Sequence, residues 1–274
     1  MSEFWVKMIT FLMSLTLSVS TYSPMGKLVN PDEKGILFRG EVKERLINEN
    51  SGIKALTTPK IVSNNTIVGS KWWIYPEEIK LTKRSGNDLL VLVNKEYRLP
   101  ETFVPIDLVK ASQSGIRRGE SYYLRSILIN DLRDLVNQAS NDGVDLSIRS
   151  GYRSYADQLY TYNFWLKANG NIEDEADKVS ARAGHSQHQL GTAIDFSSAE
   201  IQDGLGGQFS GTLAAKWLEQ NAWKYGFVLA FPKGYENTTG YSYESWHYRY
   251  IGIANAKNVL NSGKILEVYL REIN

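Results

Sequence analysis

His185-Ser186-Gln187-His188-Gln189-Leu190-Gly191-Thr192-Ala193-Ile194-Asp195 contains two of the three histidines in a chain of 274 residues. The third lies in Glu244-Ser245-Trp246-His247-Tyr248-Arg249-Tyr250. The chain has no cysteine, so a metal site must be built from His, Asp or Glu. A catalytic zinc takes about three protein ligands and keeps one open position. His188, Asp195 and His247 offer two imidazoles and one carboxylate. Gly191 lets the backbone bend between the first two. Thr192-Ala193-Ile194 is short and mostly apolar, and reads as a strand that carries Asp195 into a dry setting. Taken singly, a histidine like His188 is more often an ordinary polar residue, and a buried Asp195 more often a cap or an ion-pair partner. The two segments together weaken those readings. Glu244, three residues before His247, is placed to move protons beside a metal. Strand alternation would put the two on opposite faces, so this segment must bend for both to serve. The competing reading is a surface glutamate beside a core Trp246.

Outward from these segments the elements alternate between helix and strand. Upstream, Leu89–Val93 is an apolar run short enough for a buried strand. Residues 121–139 read as a helix. Leu124, Leu128, Leu132, Leu135 and Ala139 recur at helical spacing, with Ile127 and Val136 widening the stripe and Gly143 as the stop. Val144–Ile148 alternates like a strand and leads to a turn at Ser150-Gly151. Ser154 starts a second helix with Asp157 as its capping partner, a buried stripe of Tyr155, Leu159, Tyr162 and Leu166, and an end at Gly170. Residues 212–225 read as a third helix stopped at Gly226. Phe227–Phe231 and Tyr241–Tyr250 read as strands. The expected fold is α+β, a small, largely antiparallel sheet flanked by helices.

The amino-terminal third carries no recognisable chemistry. Lys7 precedes an apolar run, Met8 to Val19, followed by small residues and Pro24. This reads as an export signal or membrane anchor over residues 1–23, too short for a comfortable transmembrane helix. Residues 24–88 mix short β-prone pieces with Asn, Gly and Pro, and form a poorly defined strand-rich extension. Its Trp72-Trp73 pair is read as packing. The net charge is +1, which gives no electrostatic hold on nucleic acid.

Ser186-x-His188-x-x-Gly191-x-Ala193-x-Asp195 followed by Glu244-x-Trp246-His247 resembles the paired signatures of the LAS metallopeptidases. The nearer likeness is to the VanY-like D-alanyl-D-alanine carboxypeptidases and the related cell-wall L,D-carboxypeptidases. It extends to Ser150-Gly151-Tyr152-Arg153-Ser154-Tyr155-Ala156-Asp157-Gln158, to Leu92–Lys95 and to Lys224-Tyr225-Gly226-Phe227, spanning about residues 89–262. The resemblance implies His188, Asp195 and His247 as ligands of about one zinc per chain, with Glu244 as general base. It implies Arg153 as the stabiliser of the oxyanion, and Ser186 and Gln158 as holders of the substrate's end. It implies a zinc carboxypeptidase domain over residues 89–274 that acts on peptidoglycan stem peptides and releases terminal D-Ala. The alternatives are an L,D-carboxypeptidase or an endopeptidase on the same fold, or an inactive wall-binding module. The intact Glu244 argues against the last. Ser245 stands where many relatives have Pro, and His185 is read as a solvated histidine rather than a support for the ligands. A ligand set pairing His185 with His188 on one helical side is the competing arrangement, and it leaves Asp195 unexplained.

Overall fold

The computed structural model describes residues 72–274. The expectations for residues 1–71 lie outside the described residues. A four-stranded antiparallel sheet organises the rest. Its strands are β5 (Ser147–Ser150), β6 (Ala193–Ser197), β7 (Phe227–Leu229) and β8 (His247–Tyr250), in the order β5-β6-β8-β7. Two small pairs accompany it among the described residues. One is parallel, β1 (Lys80–Leu81) with β2 (Tyr97–Arg98). The other is antiparallel, β3 (Leu108–Lys110) with β4 (Tyr123–Arg125). Helices α1 (Ile129–Asn141), α2 (Tyr155–Ala168), α3 (Glu173–Val179), α4 (Leu213–Asn221), α5 (Glu236–Thr239), α6 (Ile253–Ser262) and α7 (Leu266–Ile273) complete the described part. This is the expected α+β class. No described helix is long and apolar enough to cross a membrane.

The sheet's faces divide by chemistry. Successive side chains of a strand point to opposite faces. Ile194 and Phe196 therefore point away from Asp195, into a core with Leu132, Leu135, Phe227 and Tyr248. Phe196 meets Phe227 and Tyr248 edge to face at 6.2 and 5.7 Å. Asp195 lies opposite Ser150 on one side and His247 on the other. Residues directly opposite across antiparallel strands share a face. Ser150, Asp195 and His247 thus form one polar row, on the face opposite the hydrophobic core.

The second helix begins as expected. Ser154 accepts from the Asp157 amide, and Asp157 accepts from the Ser154 amide, a reciprocal capping box. Its stripe is narrower than expected: Tyr162 is buried, but Leu159 is 47% exposed. The buried side chain on that turn is the polar Gln158, because the helix faces the polar row here.

Three expected elements differ in type. Val91, Leu92 and Val93 are buried but form no strand. Their backbone is satisfied from far along the chain: Arg249 Nη2 donates to the carbonyls of Leu89 and Val91, and Asn274 Nδ2 to that of Leu90. The expected helix over 121–139 starts only at Ile129. Before it, β4 pairs with β3, and a short 3-10 turn spans Ser126–Leu128. Leu124 and Leu128 are core residues regardless, while Ile127 is 49% exposed. Alternate burial in a strand followed by a turn mimicked a helical stripe. Residues 241–246 are not strand. The Glu244 amide donates to Phe231 O and the His247 amide to Glu244 O, which is the bend that Glu244 and His247 required. The strand expected over 144–148 sits later, at β5. Helices α3, α5, α6 and α7 were not anticipated.

Candidate metal centre

His188 comes from a turn and the other two polar groups from paired strands. Ser186 Oγ accepts from the His188 amide and caps a 3-10 turn over Gln187–Leu190. Gly191 ends that turn at φ +68°, in the left-handed region that glycine enters without penalty. A Cβ there would also lie 2.9 Å from Arg125 Cγ and 3.0 Å from Leu108 Cδ2. The chain then enters β6 and delivers Asp195 beside His247.

Asp195 uses one oxygen toward each imidazole. Its Oδ2 is 3.2 Å from His188 Nε2, and its Oδ1 is 2.9 Å from His247 Nδ1. All three residues are buried, and their donor atoms lie within 4.8 Å of one another. The rings of His188 and His247 meet edge to face at 4.9 Å. Phe231 stacks on the outer face of His247 at 4.8 Å.

The outer nitrogens decide what the inner ones can do. His188 Nδ1 is 2.8 Å from Gly151 O, a carbonyl that can only accept. Nδ1 therefore carries the proton and Nε2 offers a lone pair. Burial, reinforced by the Arg153 charge, pulls His188 below its usual pKa and favours that neutral form, against the opposing pull of Asp195. Burial works against ionisation of Asp195; protons on the two inner imidazole nitrogens would outweigh it and hold the carboxyl well below its usual range, and a metal ion in their place serves the same end. A lone pair and a carboxylate oxygen thus face each other in a dry site. Such a pair needs a cation between them. Two imidazoles and a carboxylate suit zinc, and the site fits it.

Glu244 lies beside this set rather than in it, with Oε2 3.9 Å from His247 Nδ1. Burial first, and the Asp195 charge second, push its carboxyl well up; Arg153 opposes them. Arg153 is held at both ends of its fork, with Nη1 donating to Gln158 Oε1 at 2.8 Å and Nη2 to Ser150 Oγ at 2.9 Å. Gln158 spends its amide on Ala181 O at 2.6 Å, so both of its polar ends are engaged within the protein.

The structure thus gathers His188, Asp195, His247, Glu244, Arg153, Ser186 and Gln158 in one region. His185 is not the solvated residue expected. It is 4% exposed, its Nδ1 lies 2.7 Å from Asn94 O, and its ring meets Tyr75 at 4.9 Å. It takes no part in the cluster. Sequence reading missed Ser150, Phe231 and Gln187, whose Oε1 is 3.2 Å from His247 Nε2. Gln187 adjoins His188, but its partner is 60 positions away, which no local pattern announces.

Comparison with known proteins agrees with this geometry. Residues 121–253 match the family model VanY, D-alanyl-D-alanine carboxypeptidase. The chain is 35% identical to the putative carboxypeptidase YodJ of Bacillus subtilis, over 70% of each chain. It is 31% identical to a D-alanyl-D-alanine carboxypeptidase of Enterococcus faecalis, over 80% of this chain and 81% of that one. Among solved structures, the LdcB LD-carboxypeptidase matches with a TM-score of 0.63 at 32% identity, covering 74% of this chain and 95% of that one. A vancomycin-resistance D,D-pentapeptidase VanY in complex with Zn(II) matches with a TM-score of 0.55 at 30% identity, covering 68% and 99%. Fold and site together define a zinc metallopeptidase of the LAS type. Within that class, the chain belongs to the VanY family of D-alanyl-D-alanine carboxypeptidases.

Proposed function

We propose that this protein is a zinc-dependent D-alanyl-D-alanine carboxypeptidase that removes the terminal D-Ala from peptidoglycan stem peptides. The observation that carries the reading is the buried convergence of His188 Nε2, His247 Nδ1 and the Asp195 carboxylate, with Glu244 alongside. In this reading His188, Asp195 and His247 hold the metal. Zinc supplies Lewis-acid chemistry there, polarising a carbonyl and making water a nucleophile near neutral pH. Glu244 takes a proton from the attacking water and delivers it to the leaving amine. The scissile carbon–nitrogen bond breaks, and the new carboxyl remains on the shortened stem. Arg153, permanently cationic and anchored by Ser150 and Gln158, faces the charge that develops on the carbonyl oxygen and can grip a terminal carboxylate. Ser186 keeps its hydroxyl proton available for the substrate's end. Gln158 serves the substrate through its grip on Arg153.

Such a substrate lies outside the cytoplasm, so the enzyme acts there. We assign export or anchoring to residues 1–23, an extension to 24–88 and the catalytic domain to 89–274. Residues 72–88 contribute to the described structure through β1 and through Tyr75, whose hydroxyl accepts from the Arg182 amide.

One observation favours a second reading, an L,D-carboxypeptidase. LdcB matches with the higher TM-score, 0.63 against 0.55 for the VanY structure. Incubation of purified protein with pentapeptide and tetrapeptide stems, followed by mass measurement, separates the two. Loss of one alanine from the pentapeptide alone supports the D,D reading. Trimming of the tetrapeptide alone replaces it with the L,D reading. No trimming of either, with zinc bound, removes both.

A further inference from the structure

His247 raises a question that His188 does not. His188 is held by a backbone carbonyl, which has one possible role. His247 turns its outer nitrogen, Nε2, toward a side-chain amide, which can present either an oxygen or an NH2 group. The orientation of the Gln187 amide and the tautomer of His247 are therefore a single choice. If Gln187 offers its NH2, Nε2 must accept, the ring proton moves to Nδ1, and the nitrogen facing Asp195 cannot bind a metal. If Gln187 offers Oε1, as the geometry has it at 3.2 Å, Nε2 carries the proton and Nδ1 keeps its lone pair toward Asp195.

We infer that Gln187 is a positioning residue for the metal centre, acting as an obligate acceptor that holds His247 in its metal-binding tautomer. The inference rests on the reading of His247 as a zinc ligand. Three further observations support it. Gln187 is 7% exposed, so water does not readily replace it as the acceptor. It opens the same short 3-10 turn that carries His188, so one backbone element sets one ligand directly and the other through this hydrogen bond. Phe231 covers the His247 face, which fixes the ring plane but leaves the choice between its two nitrogens open. Gln187 alone makes that choice among the described contacts of His247 Nε2. The neighbouring bond from His188 to Gly151 O does the same for the other imidazole, so the two inner lone pairs converge on Asp195.

The acceptor's chemistry separates this role from simple packing. A glutamate is an acceptor only, so Gln187→Glu keeps the required function and makes the imidazole more basic. Gln187→Leu fills similar space and accepts nothing. The test uses the full chain, loaded with zinc and titrated with a competing chelator at fixed pH. Gln187→Leu is expected to bind zinc about 10- to 100-fold more weakly, and Gln187→Glu at least as tightly as the parent. Nitrogen NMR of the zinc-loaded parent should show His247 protonated at Nε2, a readout that needs no variant to fold. Parental affinity in folded Gln187→Leu overturns the inference. So does a Gln187→Glu as weak as Gln187→Leu, or a parent protonated at Nδ1 of His247. His247→Ala serves as the control. If it keeps full zinc affinity, the ligand reading fails and takes this inference with it. If it loses zinc while Gln187→Leu does not, only the role of Gln187 is lost.

Discussion

His185 and His188 are three residues apart, both nearly inaccessible, and both bonded through Nδ1 to a backbone carbonyl, yet they occupy chemically opposite surroundings. Around His185 the neighbouring polar groups pair with one another. Tyr75 OH accepts from the Arg182 amide, Arg182 pairs with Asp177, and Lys95 donates to Asp177 O between the rings of Tyr75 and Tyr241. Around His188 the inner nitrogen meets a carboxylate with no donor between them. Burial and residue type are the same in both places. What separates the two is the carboxylate that faces the inner nitrogen of His188; no carboxylate is among the described contacts of His185.

The largest effect should come from exchanging the two histidines' roles. His188→Gln is expected to lose most of its zinc and its turnover, while His185→Gln keeps zinc at parental stoichiometry; metal analysis after dialysis reads both. Zinc loss in His185→Gln would erase the distinction.

Next in size is Glu244→Gln, which keeps the shape but cannot take a proton. Its kcat should fall about 100- to 10,000-fold, with zinc retained and KM changed far less. Near-normal turnover would remove the base. Loss of zinc would instead make Glu244 a ligand.

Acid stability sharpens the comparison from the other side. Burial, the largest cause, lowers His185 from 6.5 to about 4. Between those values the unfolded chain binds the proton and the folded protein does not. Stability therefore rises with pH across the window and is lost as pH falls through it, by up to roughly 3 kcal/mol in all. Denaturant unfolding at a series of pH values should show a shallower loss in His185→Gln between pH 6.5 and 4. Superimposable slopes would mean that His185 takes up its proton as readily in the folded protein as in the unfolded chain.

The smallest effect belongs to Tyr75→Phe, which removes the acceptor for the Arg182 amide. Roughly 1–2 kcal/mol of stability should go, with zinc affinity unchanged. A parallel fall in zinc affinity would show that the saturated cluster and the metal centre are coupled.

The site was more legible than the fold around it. With three histidines in the chain, ligand candidates were few, and the spacing around Gly191 narrowed them further. The Ser154–Asp157 capping box was readable because both partners lie within one turn. Leu89–Val93 was misread because its backbone partners, Arg249 and Asn274, are more than 150 positions away. Residues 121–128 were misread because a strand entering a turn can bury leucines at helical spacing. The burial of His185 was hidden for the same kind of reason, since Asn94 and Tyr75 come from the far upstream segment.

The pairing of Asp195 with His247 across β6 and β8 governs where this chain can change length. The exposed stretch around Lys233–Asn237 joins β7 to β8 and can grow or shrink without altering which residues meet. One residue added between Trp246 and Tyr248, or within Thr192–Ile194, would shift the pairing by one and turn one of the two side chains toward the core. Insertions in homologous chains should therefore collect in the connector and be absent from the few positions on either side of this cross-strand pair.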